Sequence, residues 1–306
     1  MFEKLECFKI QIMKTKNYDI LDIKNYESVY QILCEKVNFF AEPVMIVADP
    51  FLFVHKDRLY LFYEQKSLYH DGVIMVISTL DLENWTKPVM VLKENFHLSY
   101  PMLFEEDGYV YMIPETCGDK SIRLYESDNE ELTSFHFVKK LIIQPEIENL
   151  TMSFADTSIY KKNGMYYLYT TLGVNGVNQL ELYYADNILG PYTKHKASPI
   201  VTSNKYGRNA GCPFIYNGVF LRPAQDCELG YGDNVHLMKI EEITASKYRE
   251  VPYKEYIIDT NLSFYKEGGH QFNIVKFKEY TILATDAKEY HQYFFNRLMH
   301  KLGRYR

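Results

Sequence analysis

Apolar and polar residues alternate along this chain in short runs bounded by turn residues, and one such unit returns five times. Asp49-Pro50-Phe51-Leu52-Phe53 passes through a charged turn into Leu59-Tyr60-Leu61-Phe62-Tyr63. Tyr100-Pro101-Met102-Leu103-Phe104 passes through Asp107-Gly108 into Val110-Tyr111-Met112-Ile113-Pro114-Glu115. Residues 156–160, the turn Asn163-Gly164 and residues 165–169 repeat the pattern, as do 212–216, Asn217-Gly218 and 219–223. A fainter fifth copy joins 270–275 to 280–284. Asp-Gly and Asn-Gly between alternating runs mark two-residue hairpins, because such turns need positive φ. The steps from Asp49 to Tyr100, Asp156, Cys212 and His270 are 51, 56, 56 and 58 residues, each long enough for a four-stranded antiparallel sheet.

A sheet that cannot bury both faces alone, repeated five times, predicts a five-bladed β-propeller closed in a ring. The fold expected is all-β, with short helical extensions at both ends. Residues 1–40 form an N-terminal extension with a helix near Tyr26 to Val37, 41–290 form the propeller, and 291–306 form a basic aromatic tail. In a propeller the first strand of each blade lines the central channel. Asp49, Tyr100, Asp156, Cys212 and His270 are therefore expected around one mouth. An isolated Asp-Pro usually ends a strand or caps a turn. The return of Asp at the third copy turns that reading toward a shared site.

Composition supports this picture and removes several classes. The chain has 306 residues, is 47% hydrophobic and holds 28 Tyr and 19 Phe, a bias toward strands. The net charge of -6, with lysines dispersed among acids, argues against nucleic acid as a partner. The first residues lack the apolar core of a signal peptide and no long apolar run follows, so a cytoplasmic protein is expected. Five scattered cysteines, expected to be reduced and mostly buried, include no C-x-x-C pair, so their spacing suggests neither a disulfide framework nor a zinc site. No P-loop, dinucleotide fingerprint, nucleophile elbow or D-x-D pair is present, and no cofactor is expected.

The ordered series "ADPFLF", "HLSYPMLFEEDGYVYMIPE", "DTSIYKKNGMYYLYTT", "GRNAG", "LRPAQD", "YGDNVHL" and "GGHQF" resembles the N-terminal domain of glucosamine inositolphosphorylceramide transferases. More broadly, "VADPFLF" and "FADTSIY" resemble the five-bladed propellers of glycoside hydrolase family 43. The resemblance covers about residues 40 to 290 and implies a propeller that faces carbohydrate. It makes Asp49 a general base. Where the hydrolases place a second-blade Asp and a third-blade Glu acid, this chain has Tyr100 and Asp156. Asp is shorter than Glu, so the carboxyl separation that sets hydrolytic stereochemistry does not carry over. The plant transferases have a further C-terminal unit for which this chain is too short. Bacterial chains with this domain occur around surface-polysaccharide synthesis.

Glycosyl chemistry needs a base, an acid and, for phosphate leaving groups, a positive clamp. Asp49 is the candidate base, Asp156 the second carboxylate, and Glu115, at the end of "YMIPE", an acid or a partner for sugar hydroxyls. Glu64 sits comparably in the first copy. Arg208 and Arg222 are candidate anion clamps, and a buried Arg222 would otherwise pair with a carboxylate such as Asp49 or Asp156. Gln225 and Asp226 suit sugar hydroxyls, with Asp233 behind them. His97 and Tyr100 approach the same mouth. His270 follows Gly268-Gly269, which let backbone approach closely. The resemblance puts a cation or water near that histidine, but no other ligand stands at metal-site spacing and no metal is expected. The function expected is glycosyl transfer in cell-surface polysaccharide or glycoconjugate synthesis. The alternatives are a noncatalytic sugar-binding scaffold for a partner transferase and a family-43-like hydrolase. The ligand expected is a glycan or sugar phosphate. The tail, with Arg297, Lys301, Arg304 and Arg306, is expected to be a closing helix or a peripheral membrane contact.

Overall fold

The five hairpin turns form as the sequence dictates. Lys56, Asp107, Asn163, Asn217 and Lys278, the first residue of each, all adopt left-handed φ between 49° and 54° in this computed structural model. The structure describes residues 4–37 and 41–303. Around these turns the strands fall into four antiparallel-built sheets. Blade one is Val44–His55, Arg58–Ser67, Val73–Thr79 and Val89–Leu92; blade two is Ser99–Glu106, Tyr109–Glu115, Ser121–Ser127 and Phe135–Ile143. Blade three is built on Leu150–Lys162, Met165–Val174 and Val177–Ala185 with two short outer pieces. In blade four the inner strand is split into Arg208–Asn209 and Phe214–Tyr216, followed by Val219–Asp226, Asn234–Ile243 and Tyr248–Lys254.

The last group corrects the expectation for the N-terminus. Leu5–Thr15 is a strand that pairs antiparallel with Tyr280–His291, from Leu5 opposite His291 to Thr15 opposite Thr281. Glu27–Ile32 adds outside it, where a helix had been predicted, and only a 3-10 turn at Ile23–Asn25 lies between. Val29, Tyr30 and Ile32 pack on the blade-one and last-blade core, and that tertiary demand overrides local helix preference. The last blade thus joins Phe272–Phe277 and Tyr280–His291 from one end of the chain to two strands from the other. A single parallel register at Phe8 and Ile46 links it to blade one. The arrangement is consistent with five blades closed by strands from both termini.

Strands buried on both faces need continuous apolar runs, and this accounts for "LYLFY". Leu59, Leu61 and Tyr63 pack with Ile10, Ile12, Ile282 and Ala284 of the last blade. Tyr60 and Phe62, pointing the other way, pack with Met102, Met112 and Leu124 of blade two. Comparable layers join blades three and four through Tyr169, Leu182 and Ile240, and blade four and the last blade through Leu221, Leu237 and Leu283. The tail forms the helix Phe294–Lys301; Arg304 and Arg306 lie outside the described residues. No helix among the described residues is long and apolar enough to cross a membrane. Cys7 and Cys34 are buried and Cys117, Cys212 and Cys227 are partly exposed, so fewer of the cysteines are buried than expected.

Candidate functional site

At the channel end of the first strand in blades one, two and three the ladder slips, and the residue at each slip has left-handed φ: Asp49 at 51°, Tyr100 at 46° and Asp156 at 49°. Such bulges re-aim a side chain. Left-handed backbone outside glycine is strained, most of all for tyrosine, and persists where surroundings impose it. Hydrogen bonds impose it here. The Asp49 N–H donates to Asp286 Oδ2 (3.2 Å), that of Tyr100 to Asp49 Oδ2 (3.1 Å) and that of Asp156 to Glu115 Oε2 (3.2 Å).

Two polar groups face one another across the mouth. On one side His270 Nε2 lies 3.1 Å from Asp49 Oδ1 and its Nδ1 2.9 Å from Asp286 Oδ2. Burial opposes the imidazolium, but the two carboxylates outweigh it and hold its pKa well above the usual histidine range. Asp286 also accepts the His270 and Gln271 N–H groups at 2.8 and 3.1 Å. A side chain on Gly269 would stand 2.2 Å from the Asp286 carbonyl, so only glycine lets this approach occur. Asp49, His270 and Asp286 offer donor atoms close enough for one cation. Each imidazole nitrogen faces a carboxylate, so a protonated His270 places a positive charge between the two.

On the other side Arg208 Nε donates to Asp156 Oδ2 at 2.5 Å, and its guanidinium lies 4.9 Å from the Tyr231 ring centre. Burial raises the Asp156 pKa, Arg208 works against that and Asp49 adds to it. Glu115 is pushed up to about 8, first by burial, then by Asp156, against the pull of Arg208. Glu64 is raised well above the carboxylate range by burial and by Asp49 and Glu115. Its Oε1 lies 3.3 Å from His97 Nε2. His97 accepts the Gly72 N–H on Nδ1 at 3.0 Å, and burial lowers its pKa, so the imidazole is neutral with its proton toward Glu64.

The structure therefore brings together Asp49, Glu64, His97, Glu115, Asp156, Arg208 and His270. It separates others. The Tyr100 hydroxyl spans to blades three and four, accepting the Gly211 N–H at 2.8 Å and lying 2.9 Å from Ser158 Oγ. We expect Tyr100→Phe to lower stability by about 1–3 kcal/mol, read by urea unfolding, because Gly211 N–H loses its buried acceptor. Arg222 pairs with Glu250, away from Asp49 and Asp156. Asp226 accepts from His236 at 2.9 Å. Gln225 stays beside the mouth, directly opposite Arg208 in the blade-four ladder, with its Oε1 accepting the Cys227 thiol at 3.0 Å. Asp233 lies in a groove with Tyr231 and Lys288. Cys212 does not reach the mouth. The split inner strand, turning at Gly211 with φ 139°, leaves it packed against the core beside Tyr100.

Two mouth residues escaped the sequence reading. Asp286 carries the signal of its position, discussed below. Tyr231 stands 5.1 Å from the His270 ring and remains 38% exposed, so it roofs both ion pairs; it opens the motif "YGDNVHL", in which sequence reading singles out only Asp233.

Residues 28–279 match the family model described as glucosamine inositolphosphorylceramide transferase 1, N-terminal. Proteins named glucosamine inositolphosphorylceramide transferase 1 are similar: that of Oryza sativa subsp. japonica is 35% identical over 243 residues, 77% of this chain and 31% of that protein. The one from Arabidopsis thaliana is 30% identical over 267 residues, 85% of this chain and 33% of its own length. The chain spans about a third of these relatives. Among solved structures, a family 117 glycoside hydrolase of Zobellia galactanivorans matches with TM-score 0.56 and 13% identity, covering 94% of this chain and 92% of its own. A GH43B protein of Bacteroides ovatus matches with TM-score 0.55 and 15% identity over 74% of this chain and 47% of its own. At such identities these structures establish the propeller fold alone. On the family match and the plant relatives, the chain belongs to the family of the N-terminal domain of glucosamine inositolphosphorylceramide transferase 1.

Proposed function

We propose that the mouth binds a sugar or sugar phosphate and carries out glycosyl transfer in the synthesis of a cell-surface polysaccharide or glycoconjugate. The observation that carries this reading is the contrast between the two sides of the mouth. Glu115 keeps its proton near neutral pH, while Asp49 stands beside a cationic histidine. Pairs of carboxyl groups whose environments differ in this way divide acid and base roles. Asp49 takes the proton of the attacking hydroxyl, Glu115 donates to the leaving oxygen, and Arg208 faces a leaving phosphate. Asp156, engaged by Arg208, orients the guanidinium. The names of the plant relatives support a sugar ligand. In this reading the chain works in the cytoplasm, on a glycan or sugar phosphate, beside a partner transferase.

A second reading is a noncatalytic module that presents a glycan to a partner transferase. It is favoured by Tyr100 and Asp156 standing where the hydrolases have Asp and Glu. The exposed apolar residues Phe294, Phe295 and Leu298 with Arg297 and Lys301 give either version a route to a membrane surface.

Thermal shift against nucleotide sugars, lipid-linked sugar analogues and short oligosaccharides, on wild type and Asp49→Asn, tests both. A ligand of the folded state raises the melting temperature by mass action. The enzyme reading expects one class to stabilise both proteins and Asp49→Asn to lose at least about a hundredfold in turnover, in the range of a lost proton-transfer group. Stabilisation without turnover in wild type leaves the binding module. No shift with any class removes the proposed ligand.

A further inference from the structure

The ring closure carries a second group of unlike donors, further along the strand Tyr280–His291 than the mouth residue Asp286. Cys7 stands directly opposite Glu289 in the register of Leu5–Thr15 with Tyr280–His291, and His291 follows Glu289 by two residues, on the same face of its strand. Cys34, just beyond the neighbouring strand Glu27–Ile32, reaches the same point. The donor atoms of Cys34, Glu289 and His291 all lie within 4.8 Å of one another. Glu289 Oε1 is 2.8 Å from Cys34 Sγ and 2.6 Å from His291 Nε2. Cys7 lies in the same buried cluster as Cys34, its sulfur 3.3 Å from the Tyr293 hydroxyl, and both are free thiols.

We propose that Cys7, Cys34, Glu289 and His291 form a structural site for one zinc-like divalent cation that fastens the N-terminal strands to the last blade. The donor set is two sulfurs, an imidazole and a carboxylate, which suits tetrahedral zinc. Zinc bonds of about 2.0–2.3 Å at tetrahedral angles set ligand atoms about 3.3–3.8 Å apart. Cys34, Glu289 and His291 reach that spacing by shifts of about 1 Å, and Cys7 joins them by turning its sulfur from the Tyr293 hydroxyl, 3.3 Å away. Binding releases the two thiol protons. Two thiolates, one carboxylate and one divalent ion leave a single negative charge. Lys9 answers it, with Nζ 2.9 Å from Glu289 Oε2, the oxygen turned away from the cysteine. Leu5, Met45, Ile46, Leu68 and Tyr293 form a dry shell around the thiols. The ligands are separated by up to 284 residues, from Cys7 to His291, which is why no cysteine spacing announces the site.

The test is a cobalt(II) titration of the full chain, reduced and stripped with chelator. The proposal expects one equivalent bound with a thiolate-to-cobalt charge-transfer band, displaced by zinc chloride, and a melting temperature several degrees higher with zinc. Cys34→Ser/His291→Ala should lose the band and the shift, while Cys117→Ser/Cys212→Ser/Cys227→Ser should keep both. Absence of the band in wild type, or its survival in Cys34→Ser/His291→Ala, overturns the proposal. The wild-type titration decides by itself where the double variant does not fold.

Discussion

Arg222→Met will lower the free energy of unfolding by about 3–5 kcal/mol, the scale on which a buried ion pair fails when one partner is removed. The Arg222 side chain has no exposed surface, and it holds Glu250 through one bidentate guanidinium edge, Nε to Oε2 at 3.0 Å and Nη2 to Oε1 at 2.7 Å. Nη2 also donates to the Tyr206 carbonyl at 2.8 Å, and Nη1 to Asn209 Oδ1 at 3.3 Å. Removing the arginine leaves Glu250 buried with, among the described residues, the Tyr248 hydroxyl as its remaining donor. Arg222→Met/Glu250→Leu should recover most of the loss, because a paired apolar replacement removes both charges together. Urea unfolding of the single and double variants measures this. A fully stable single variant that fails to respond to sugar ligands would instead return Arg222 to the binding site.

The same arginine shows where sequence reading stops. Its burial and its need for an anion were legible, since a charged residue between Leu221 and Pro223 in a core strand must be paired. Which anion was not. Glu250 comes from the outer strand of the same blade, and only the registers across Val219–Asp226, Asn234–Ile243 and Tyr248–Lys254 bring it within reach. The mouth was more legible than it was read to be. Seven residues beyond the second residue of each hairpin turn stand Glu64, Glu115, Thr171, Gln225 and Asp286. The repeat that drew attention to Glu64 and Glu115 thus also points at Asp286, the residue that positions His270. What hid it was the fifth turn, Lys278-Glu279, which lacks the glycine that marks three of the others. The N-terminal strand is the opposite case. Its pairing partner lies at the far end of the chain, and no local pattern distinguishes a strand that completes a ring from a helix packed outside it.

The protonation of the mouth gives the second large effect, a stability that falls as pH rises. Glu115 titrates near 4.5 when unfolded and about 8 when folded, so between these values the folded chain binds more protons than the unfolded one. Stability then declines with pH by up to about 1.4 kcal/mol per unit through this window. Below 4.5 the contribution is complete; above 8 it is gone. Asp156 and Glu64 are raised in the same direction, chiefly by burial. His270, raised by Asp286 and Asp49 against its burial, also stabilises below its unfolded value and loses that stability as pH climbs through its folded one. Glu115, with Glu64 and His270 both carried well above their ordinary ranges, makes the fold stronger at pH 6 than at pH 9. Glu115→Gln keeps an amide oxygen to accept the Asp156 N–H but has no proton to lose. Its unfolding free energy should fall less steeply between pH 6 and 9 than that of wild type, and it should be the more stable protein at pH 9. Equal slopes in the two proteins would mean that Glu115 is ionised in the folded state. It would then have no proton to give a leaving group at neutral pH, and the acid would have to be sought in Asp156 or Glu64.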